Sequence, residues 1–379
     1  MLARFLFLLF FIAPDCLLAA HYIDDSWVRL RLHENLKTFS IKGTHIELRD
    51  TADKSDDYLR AAARKSESQN LLIQFQTKWK KSFLKITRQN ENALFKQGSL
   101  FVSGENLTFQ SQPIAGFLQF YKRSLGFDVI AYVKLRDYLK GVVSAEMPST
   151  WPNETLKAQI VAARSYALYM VEQRKNSIFD LEASIKDQAY RQSSSSALDL
   201  LLDDTANLVL FNQNKRLFKT YYHSDCGGQT SSAKKVFGDT GFDAEVKDPY
   251  CQGHSWRLTI PKQEFENLVG PFSEIVSTFN PLKRAYTFDL RRSNDLIQTI
   301  DAQKLRLSLG STRMKSTWAE IKQSGDSIEI KGKGFGHGVG MCQWGSRQMG
   351  LMKKSFKEIL EFYYPKSLLV SASVDQLHF

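Results

Sequence analysis

The clearest hydrophobic pattern in the chain lies between residues 152 and 175, in the stretch PNETLKAQIVAARSYALYMVEQRK. Apolar side chains recur there every three or four residues, at Leu156, Ile160, Ala163, Ala167 and Val171. This is the spacing of one face of an α-helix, and Pro152 stands where the first turn of a helix tolerates proline. The sequence therefore predicts a long helix over this segment.

Residues 21–115 show a different pattern, in which apolar and polar residues alternate or β-branched residues cluster in short runs. The runs are WVRLRLHENLKTFSIKG, LLIQFQ, SFLKIT and SLFVSG, and turn-forming residues separate them. Alternation of this kind is typical of β-strands. The sequence predicts a β-rich N-terminal accessory region over 21–115, without a catalytic constellation.

Residues 116–379 mix both patterns. We expect strands at NLVLF and RLFKTYYHS, joined as a hairpin by Asn212-Gln213-Asn214, and further strands at YTFDLR and SIEIKG. A helix is expected near DAQKLRLSLG, and Ser355 with Glu358 forms a capping box before the last helix. The predicted fold class is α+β, with mixed β-sheets and a few helices.

The first 20 residues, MLARFLFLLFFIAPDCLLAA, resemble a cleaved secretory signal peptide. Arg4 supplies the positive start, an apolar run follows, and Leu18-Ala19-Ala20 offers small residues for cleavage. The alternative is an uncleaved membrane anchor, but the uninterrupted apolar run is shorter than the roughly 20 residues that a spanning helix needs. We expect export, and no transmembrane segment after cleavage.

Composition narrows the class of partner. The chain has 379 residues with 43% hydrophobic residues, which is enough to bury a large core, and a net charge of +11. A basic exported protein favours polyanions such as cell-wall polymers, anionic lipid or nucleic acid. No zinc finger, helix-turn-helix or RNP-like signature is present, so nucleic acid is not expected as a partner.

Two pairs of residues carry metal-ligand spacing. His223-x-x-Cys226 and Cys251-x-x-His254 offer the nitrogen and sulfur ligands of a tetrahedral zinc site. Four side-chain ligands would make the site closed and therefore structural. The alternative is a Cys226–Cys251 disulfide, which is the ordinary state of cysteines in an exported protein.

A glycine-dense loop, KGKGFGHGVGMCQWG, precedes the last helices. No Gly-Lys-Ser/Thr ends it, so it is not a phosphate-binding loop. One interpretation is a backbone-lined surface that an extended polymer can approach, with His337 and Trp344 for hydrogen bonding and sugar stacking. The other is a tight turn packed against another element.

Glu146 stands in the run GVVSAEMPSTWP, among small and apolar residues. The following helix starts just after Pro148, so we expect Glu146 beside its N-terminal end, where a negative charge is favoured. A capping carboxylate is therefore one interpretation. The other is a general acid that its apolar neighbours keep protonated, as in groups that cleave glycosidic bonds.

Four longer motifs occur in one order along the chain: YLKGVVSAEMPSTWPNETLKAQIVAARSYAL, YYHSDCGGQT, DPYC and GFGHGVGMCQWGSRQMG…EILEFYYP. Together they resemble the SpoIID/LytB family, the stage II sporulation protein D and amidase-enhancer group. The resemblance runs from about residue 115 to the C-terminus, and it implies a catalytic domain over 116–379.

The resemblance implies a peptidoglycan lytic transglycosylase that cuts MurNAc–GlcNAc glycan strands, in some members strands stripped of stem peptides. The catalytic glutamate of the family's EMP motif corresponds to Glu146. Some members bind zinc near the CGG region, and Cys342 stands where many members carry serine. The expected sugar contacts are the polar and aromatic members of the matched motifs: Tyr221, Tyr222, Gln229, His337, Gln343 and Trp344.

One carboxyl group suffices for this chemistry, because the same residue can act as acid in the first step and as base in the second. The products then carry 1,6-anhydroMurNAc ends. The alternative function is a non-catalytic cell-wall protein that enhances an N-acetylmuramoyl-L-alanine amidase, which would be its partner. Both functions imply a periplasmic or cell-wall location.

Overall fold

The computed structural model describes most of the chain, namely residues 23–50, 69–78, 81–88, 91–95, 99–184, 186–238, 240–276 and 284–373. The predicted signal peptide at 1–20 lies outside the described residues and stays a prediction. Helices and mixed sheets both occur, which confirms the α+β class. Among the described helices, none combines the length and the apolar character that crossing a membrane requires.

The largest element in the described residues is a sheet of ten strands, in the order β10-β1-β9-β8-β6-β2-β3-β4-β5, with β7 paired to β6. Its strands are β1 (Trp27–Leu36), β2 (Thr38–Asp50), β3 (Gln69–Lys78), β4 (Lys81–Arg88), β5 (Glu91–Phe95), β6 (Ser99–Phe109), β7 (Gln112–Pro113), β8 (Gly116–Lys122), β9 (Phe127–Lys134) and β10 (Leu181–Glu182). The four runs predicted as strands before residue 115 all lie in strands of this sheet, namely in β1, β2, β3, β4 and β6.

Sheet pairing continues across the expected boundary near residue 115. Strand β8 pairs antiparallel with β6, and β9 pairs antiparallel with β1. Strands before and after residue 115 thus share one sheet. The division of the chain at residue 115 stays a prediction.

Eight helices are described. They are α1 (Leu135–Glu146), α2 (Asn153–Gln173), α3 (Ser196–Asp204), α4 (Ala233–Phe237), α5 (Lys262–Val269), α6 (Ala302–Leu309), α7 (Gln343–Leu351) and α8 (Phe356–Tyr363). Helix α2 is the long helix that the sequence predicts. The capping box of Ser355 and Glu358 is present at the start of α8.

Helix α2 is buried on most of its surface, not on one face alone. Its alanines allow α1, α7, α8 and β11 (Leu208–Phe211) to approach closely. Arg164, with no exposed surface, pairs with the Asp24 carboxylate at 2.7 Å and 2.8 Å. This buried pair joins α2 to the start of the described chain, and breaking such a pair costs about 3–5 kcal/mol.

The remaining strands form smaller sheets. They are β12 (Tyr222–His223), β13 (Ser255–Pro261), β14 (Glu274–Ile275), β15 (Thr287–Arg291), β16 (Ile297–Asp301), β17 (Ala319–Ser324), β18 (Ser327–Lys333), β19 (Met341–Cys342) and β20 (Leu368–Ser371). Strands β13 to β18 with α5 and α6 surround a second hydrophobic core. The expected strands at YTFDLR and SIEIKG and the helix near DAQKLRLSLG all lie in this part.

The hairpin predicted around Asn212-Gln213-Asn214 is wrong in its second arm. The chain does turn there, since Asn212 N–H donates to the Arg216 carbonyl at 2.9 Å. Only one bridge, Phe211 with Leu217, joins the arms, and β11 pairs instead with β20 near the C-terminus. The strand that pairs with β11 is thus a distant one and not the neighbouring arm of the turn.

Candidate active site and buried cysteine cluster

Glu146 is the last residue of α1. The expectation that it lies beside the N-terminal end of the next helix is wrong, because α2 begins only at Asn153. The carbonyl end of a helix carries partial negative charge and disfavours a carboxylate. Its position on the helix therefore argues against a capping role and favours the protonated acid.

The Glu146 side chain is half-buried and bound by two neutral donors. Ala189 N–H donates to Oε1 at 3.2 Å, and Gln343 Nε2 donates to Oε2 at 3.0 Å. Within the described residues, no cation forms an ion pair with this carboxyl group. Burial raises the pKa of Glu146, and the two hydrogen bonds oppose that shift in part.

A chain of buried polar groups lies close to Glu146. The Tyr138 hydroxyl donates to Gln188 Oε1 at 2.7 Å, and Gln188 Nε2 donates to the Tyr222 hydroxyl at 2.9 Å. Burial raises the pKa of both tyrosines well above the ordinary value, and the nearby Glu146 charge raises it further. Both phenols therefore stay protonated, and they line the carboxyl group without adding charge.

The six expected sugar contacts occupy different places. Gln343 and Tyr222 lie near Glu146, whereas Tyr221 directly precedes β12 and stacks on Phe237 at 4.5 Å. His337 packs edge-on against Tyr221 at 5.6 Å. Gln229 is held in an isolated bridge to Lys247. In the described residues, Gln343 is thus the one member of this set that hydrogen-bonds Glu146.

The glycine loop packs against β12. A Cβ atom at Gly340 (φ 71°) would overlap the Tyr221 carbonyl oxygen, so only glycine permits this approach. His337 accepts the Val339 N–H at 3.0 Å, and burial lowers its pKa well below the ordinary value. The tight-turn interpretation therefore describes this end of the loop, while Trp344 remains 37% exposed at the start of α7.

Three cysteines and an aspartate converge in the interior. One ligand atom from each of Cys226, Asp248, Cys251 and Cys342 lies within 4.8 Å of the others, and all four residues are buried. The Cys226 thiol donates to Asp248 Oδ2 at 3.2 Å, and Cys226 N–H donates to Cys342 Sγ at 3.2 Å. This buried group of thiols and a carboxylate could bind a metal ion.

Two of the four predicted metal ligands belong to this cluster and two do not. His223 Nδ1 donates to the Val339 carbonyl at 3.0 Å, and His254 pairs through Nδ1 with Asp225 at 2.6 Å. Cys226, Cys251 and Cys342 are free thiols, so the alternative Cys226–Cys251 disulfide is not formed.

Sequence reasoning missed Cys342 and Asp248 as partners of the two predicted cysteines. Cys342 is 116 residues from Cys226 along the chain, and the parallel pairing of β12 with β19 brings the two segments together. Asp248 belongs to the DPYC motif, in which it precedes Cys251 by one helical turn's spacing. The DPYC motif was therefore the sequence signal that could have indicated Asp248 as a partner of Cys251.

The donor atoms suit zinc. Three sulfurs and one carboxylate oxygen form a closed set of four, and ligand atoms around tetrahedral zinc lie roughly 3.8 Å apart. Burial raises the pKa of the Cys226 and Cys342 thiols, whereas hydrogen bonds from these two lower that of Cys251. A cation would compensate the charge of such a buried group.

The described residues form an α+β protein in which the half-buried Glu146 carboxyl group and the buried cluster of three cysteines and one aspartate are the candidate sites. A family model described as Stage II sporulation protein, SpoIID, matches residues 123–212. An uncharacterized protein of Brachyspira hyodysenteriae is 32% identical over 287 residues, which cover 73% of this chain and 77% of that protein.

Two Bacillus subtilis proteins are also similar. The amidase enhancer is 28% identical over 292 residues, covering 62% of this chain but 40% of that protein. Stage II sporulation protein D is 26% identical over 256 residues, covering 61% of this chain and 73% of that protein. The chain belongs to the SpoIID family.

Proposed function

We propose that the chain is an exported peptidoglycan lytic transglycosylase, with residues 116–379 as its catalytic domain and Glu146 as its acid and base. The observation that carries the proposal is the state of Glu146, a half-buried carboxyl group with a raised pKa. Family membership and the similarity to an amidase enhancer support a cell-wall-related role.

In the first step, protonated Glu146 donates its proton to the oxygen that links MurNAc C1 to the next GlcNAc. The C1–O bond breaks and leaves positive charge on the MurNAc ring. General acid catalysis of this kind contributes about 10²- to 10⁴-fold in rate. A raised pKa suits the step because it keeps the proton on the carboxyl group at higher pH.

In the second step, the Glu146 carboxylate takes the proton of the MurNAc C6 hydroxyl while O6 attacks C1. A 1,6-anhydro ring closes, no water is consumed, and Glu146 recovers its proton. The Ala189 N–H and Gln343 Nε2 bonds stabilise the carboxylate between the two steps. One carboxyl group thus serves both steps, in contrast to the pair that a hydrolase needs.

We propose a structural zinc ion held by Cys226, Asp248, Cys251 and Cys342. With four protein ligands the ion would not meet substrate, and its contribution would be to fold the surrounding loops. Cys342 also caps α7, accepting the Gly345 N–H at 3.4 Å, and Gln343 follows it directly. The cluster therefore positions the residue that binds Glu146.

A second candidate function is supported by the similarity to the amidase enhancer. In that case the chain would bind peptidoglycan strands and stimulate a cell-wall amidase without cutting glycan. Tyr221, His337 and Trp344 would serve strand binding in either function, and the net charge of +11 favours a polyanionic wall.

One experiment separates the two functions. Purified wild type and Glu146→Gln are incubated with glycan strands stripped of stem peptides, and the products are examined by mass spectrometry. We expect 1,6-anhydroMurNAc ends from wild type and none from the variant. Equal products from both proteins, or none from either, would refute the catalytic proposal and leave the enhancer function.

A further inference from the structure

An open cleft of about 560 Å³ adjoins the first turns of α7. Its walls come from the 249–254 loop and from α7, and they include Tyr250, His254, Trp344, Arg347 and Met352. The volume lies in the range of sites that hold small ligands. None of the catalytic steps proposed above uses this space.

Aromatic rings form one side of the cleft. Trp344 packs between Trp151 at 5.4 Å and the His254 ring at 4.8 Å, and it keeps 37% of its surface exposed. The exposed part of an indole that neighbouring rings hold in place can stack on the apolar face of a sugar ring. The cleft thus offers a rigid platform for a glycan.

Arg347, a cation without a counter-ion among the described residues, lies beside the Trp344 and Trp151 rings. The Arg347 guanidinium lies 5.4 Å from the Trp344 ring and 5.8 Å from the Trp151 ring. In the part of the chain that the structure describes, it makes no ion pair or hydrogen bond. A guanidinium at these distances lies within the range of a cation–π contact, and its planar group can bind a carboxylate through two hydrogen bonds.

The cleft contains one carboxylate among its described lining residues, Asp225, and that group is already engaged. Asp225 Oδ2 accepts the His254 N–H at 2.8 Å and faces His254 Nδ1 at 2.6 Å, while Oδ1 accepts the Gly227 N–H at 2.7 Å. It is 1% exposed and cannot neutralise Arg347 at the surface. An anion from outside is therefore the partner that Arg347 lacks.

Residues of the cleft are neighbours in the chain of residues at the Glu146 site. Gln343 binds Glu146, and Trp344 follows Gln343 in α7. Trp151 lies in the short connection between Glu146 and α2 and packs on Trp344. The subsite proposed below would take the part of a glycan strand that extends from Glu146 towards Trp344.

We propose that this cleft is a distal glycan subsite that recognises a carboxylate carried by the strand, with Trp344 stacking on a sugar ring and Arg347 binding the carboxylate. The inference rests on the proposed function. The carboxylate has two sources, the lactyl group of a MurNAc stripped of its peptide or an acidic residue of an attached stem peptide. A strand of GlcNAc alone has neither.

The test measures binding with the full exported chain carrying Glu146→Gln, so that no strand is cut. Calorimetry compares three oligosaccharides: GlcNAc oligomers, stripped GlcNAc–MurNAc oligomers, and the same oligomers with stem peptides. Adding Arg347→Gln should weaken binding of a carboxylate-bearing oligomer about tenfold or more and leave GlcNAc oligomers unchanged. Arg257→Gln, which removes an equal charge from β13, is the matched control and should change nothing.

Comparison of the three oligosaccharides identifies the source of the carboxylate. A loss confined to stripped strands assigns the lactyl group, and a loss confined to peptide-bearing strands assigns the stem. Trp344→Ala should weaken binding of all three ligands. The inference is overturned if Arg347→Gln leaves both carboxylate-bearing ligands unaffected, if it weakens GlcNAc oligomers equally, or if neither carboxylate-bearing ligand binds.

Failure of this inference is distinguishable from failure of the proposed function. Carboxylate-dependent binding without anhydro products would retain the subsite and refute the lyase. Anhydro products with no effect of Arg347→Gln on binding would retain the lyase and refute the subsite.

Discussion

Two glutamates near each other in the chain occupy opposite kinds of helix end. Glu146 is the last residue of α1, and its carboxyl group meets only neutral donors in the described residues. Glu154 lies in the first turn of α2, pairs with Lys157 at 3.2 Å, and accepts the Phe356 N–H at the start of α8 at 2.7 Å.

The difference lies in the groups that surround each carboxyl group. Positive helix ends and a lysine stabilise the Glu154 carboxylate. Burial and a carbonyl-rich helix end favour the protonated form of Glu146, whose pKa is raised. The different surroundings are the basis for proposing a chemical role for Glu146 and a structural one for Glu154.

The largest effect is expected at Glu146. Glu146→Gln should lower glycan cleavage roughly a thousandfold, because an amide neither donates nor accepts the proton. Because the pKa of Glu146 is raised in the folded protein, the protonated group contributes to the free energy of unfolding. That contribution to stability is lost as pH rises through the pKa of the folded state. The neutral glutamine should therefore unfold at the same temperature as wild type or higher, measured at pH 7 by calorimetry.

Glu154→Gln is the matched control for that variant. Glutamine has nearly the same shape as glutamate but removes the negative charge that faces the starts of α2 and α8. We therefore expect a stability loss of about 1 kcal/mol and nearly unchanged cleavage. Assignment of the two roles is wrong if Glu154→Gln loses activity as severely as Glu146→Gln.

A smaller effect on cleavage, but a large one on stability, is expected at the cysteine cluster. Cys226→Ser should lose bound zinc and at least about 2 kcal/mol of stability, since the buried ligands would no longer be compensated. Loss of the cluster should also loosen Gln343 and lower cleavage. Metal analysis and thermal unfolding with and without chelator measure both effects.

His254→Ala is the control for the cluster, because His254 lies outside it. This variant should keep its zinc, whereas zinc loss would restore His254 to the ligand set that its spacing suggests. Native wild type that contains no metal and is insensitive to chelator would contradict the zinc proposal.

Among these variants, Gln343→Leu should have the smallest effect, a shift in the pH dependence of cleavage. The Gln343 hydrogen bond lowers the pKa of Glu146 in opposition to burial, so its loss raises that pKa further. The basic limb of the kcat/KM profile reports deprotonation of the acid and should move to higher pH. A limb that stays in place, or moves to lower pH, would show that Gln343 does not tune Glu146.

Local patterns predicted much of the fold. Helix α2, the strands of the first region and the capping box of α8 follow from periodicity and capping residues in one stretch of chain. The pairing of β11 with β20 did not follow, because local turn residues carry no information about a strand near residue 370.

The site was less predictable for the same reason. Motif order made Glu146 the candidate acid, but the local interpretation placed it beside the start of α2. Pro148 was the available signal for the end of α1, because the residue before a proline avoids the helical conformation, and Met147 is extended. The spacing of His223 and His254 suggested ligands, whereas the fold joins Cys226 and Cys251 to the distant Cys342. Arg347 lies in the matched motif GFGHGVGMCQWGSRQMG, but only the folded cleft shows that it has no counter-ion among the described residues.

The central claim is that one carboxyl group completes the reaction without water. Cleavage of stripped glycan strands in water labelled with oxygen-18, followed by mass spectrometry of the new ends, tests it most directly. We predict 1,6-anhydroMurNAc ends that carry no label. Reducing MurNAc ends that carry oxygen-18 at C1 would contradict the account and indicate hydrolysis.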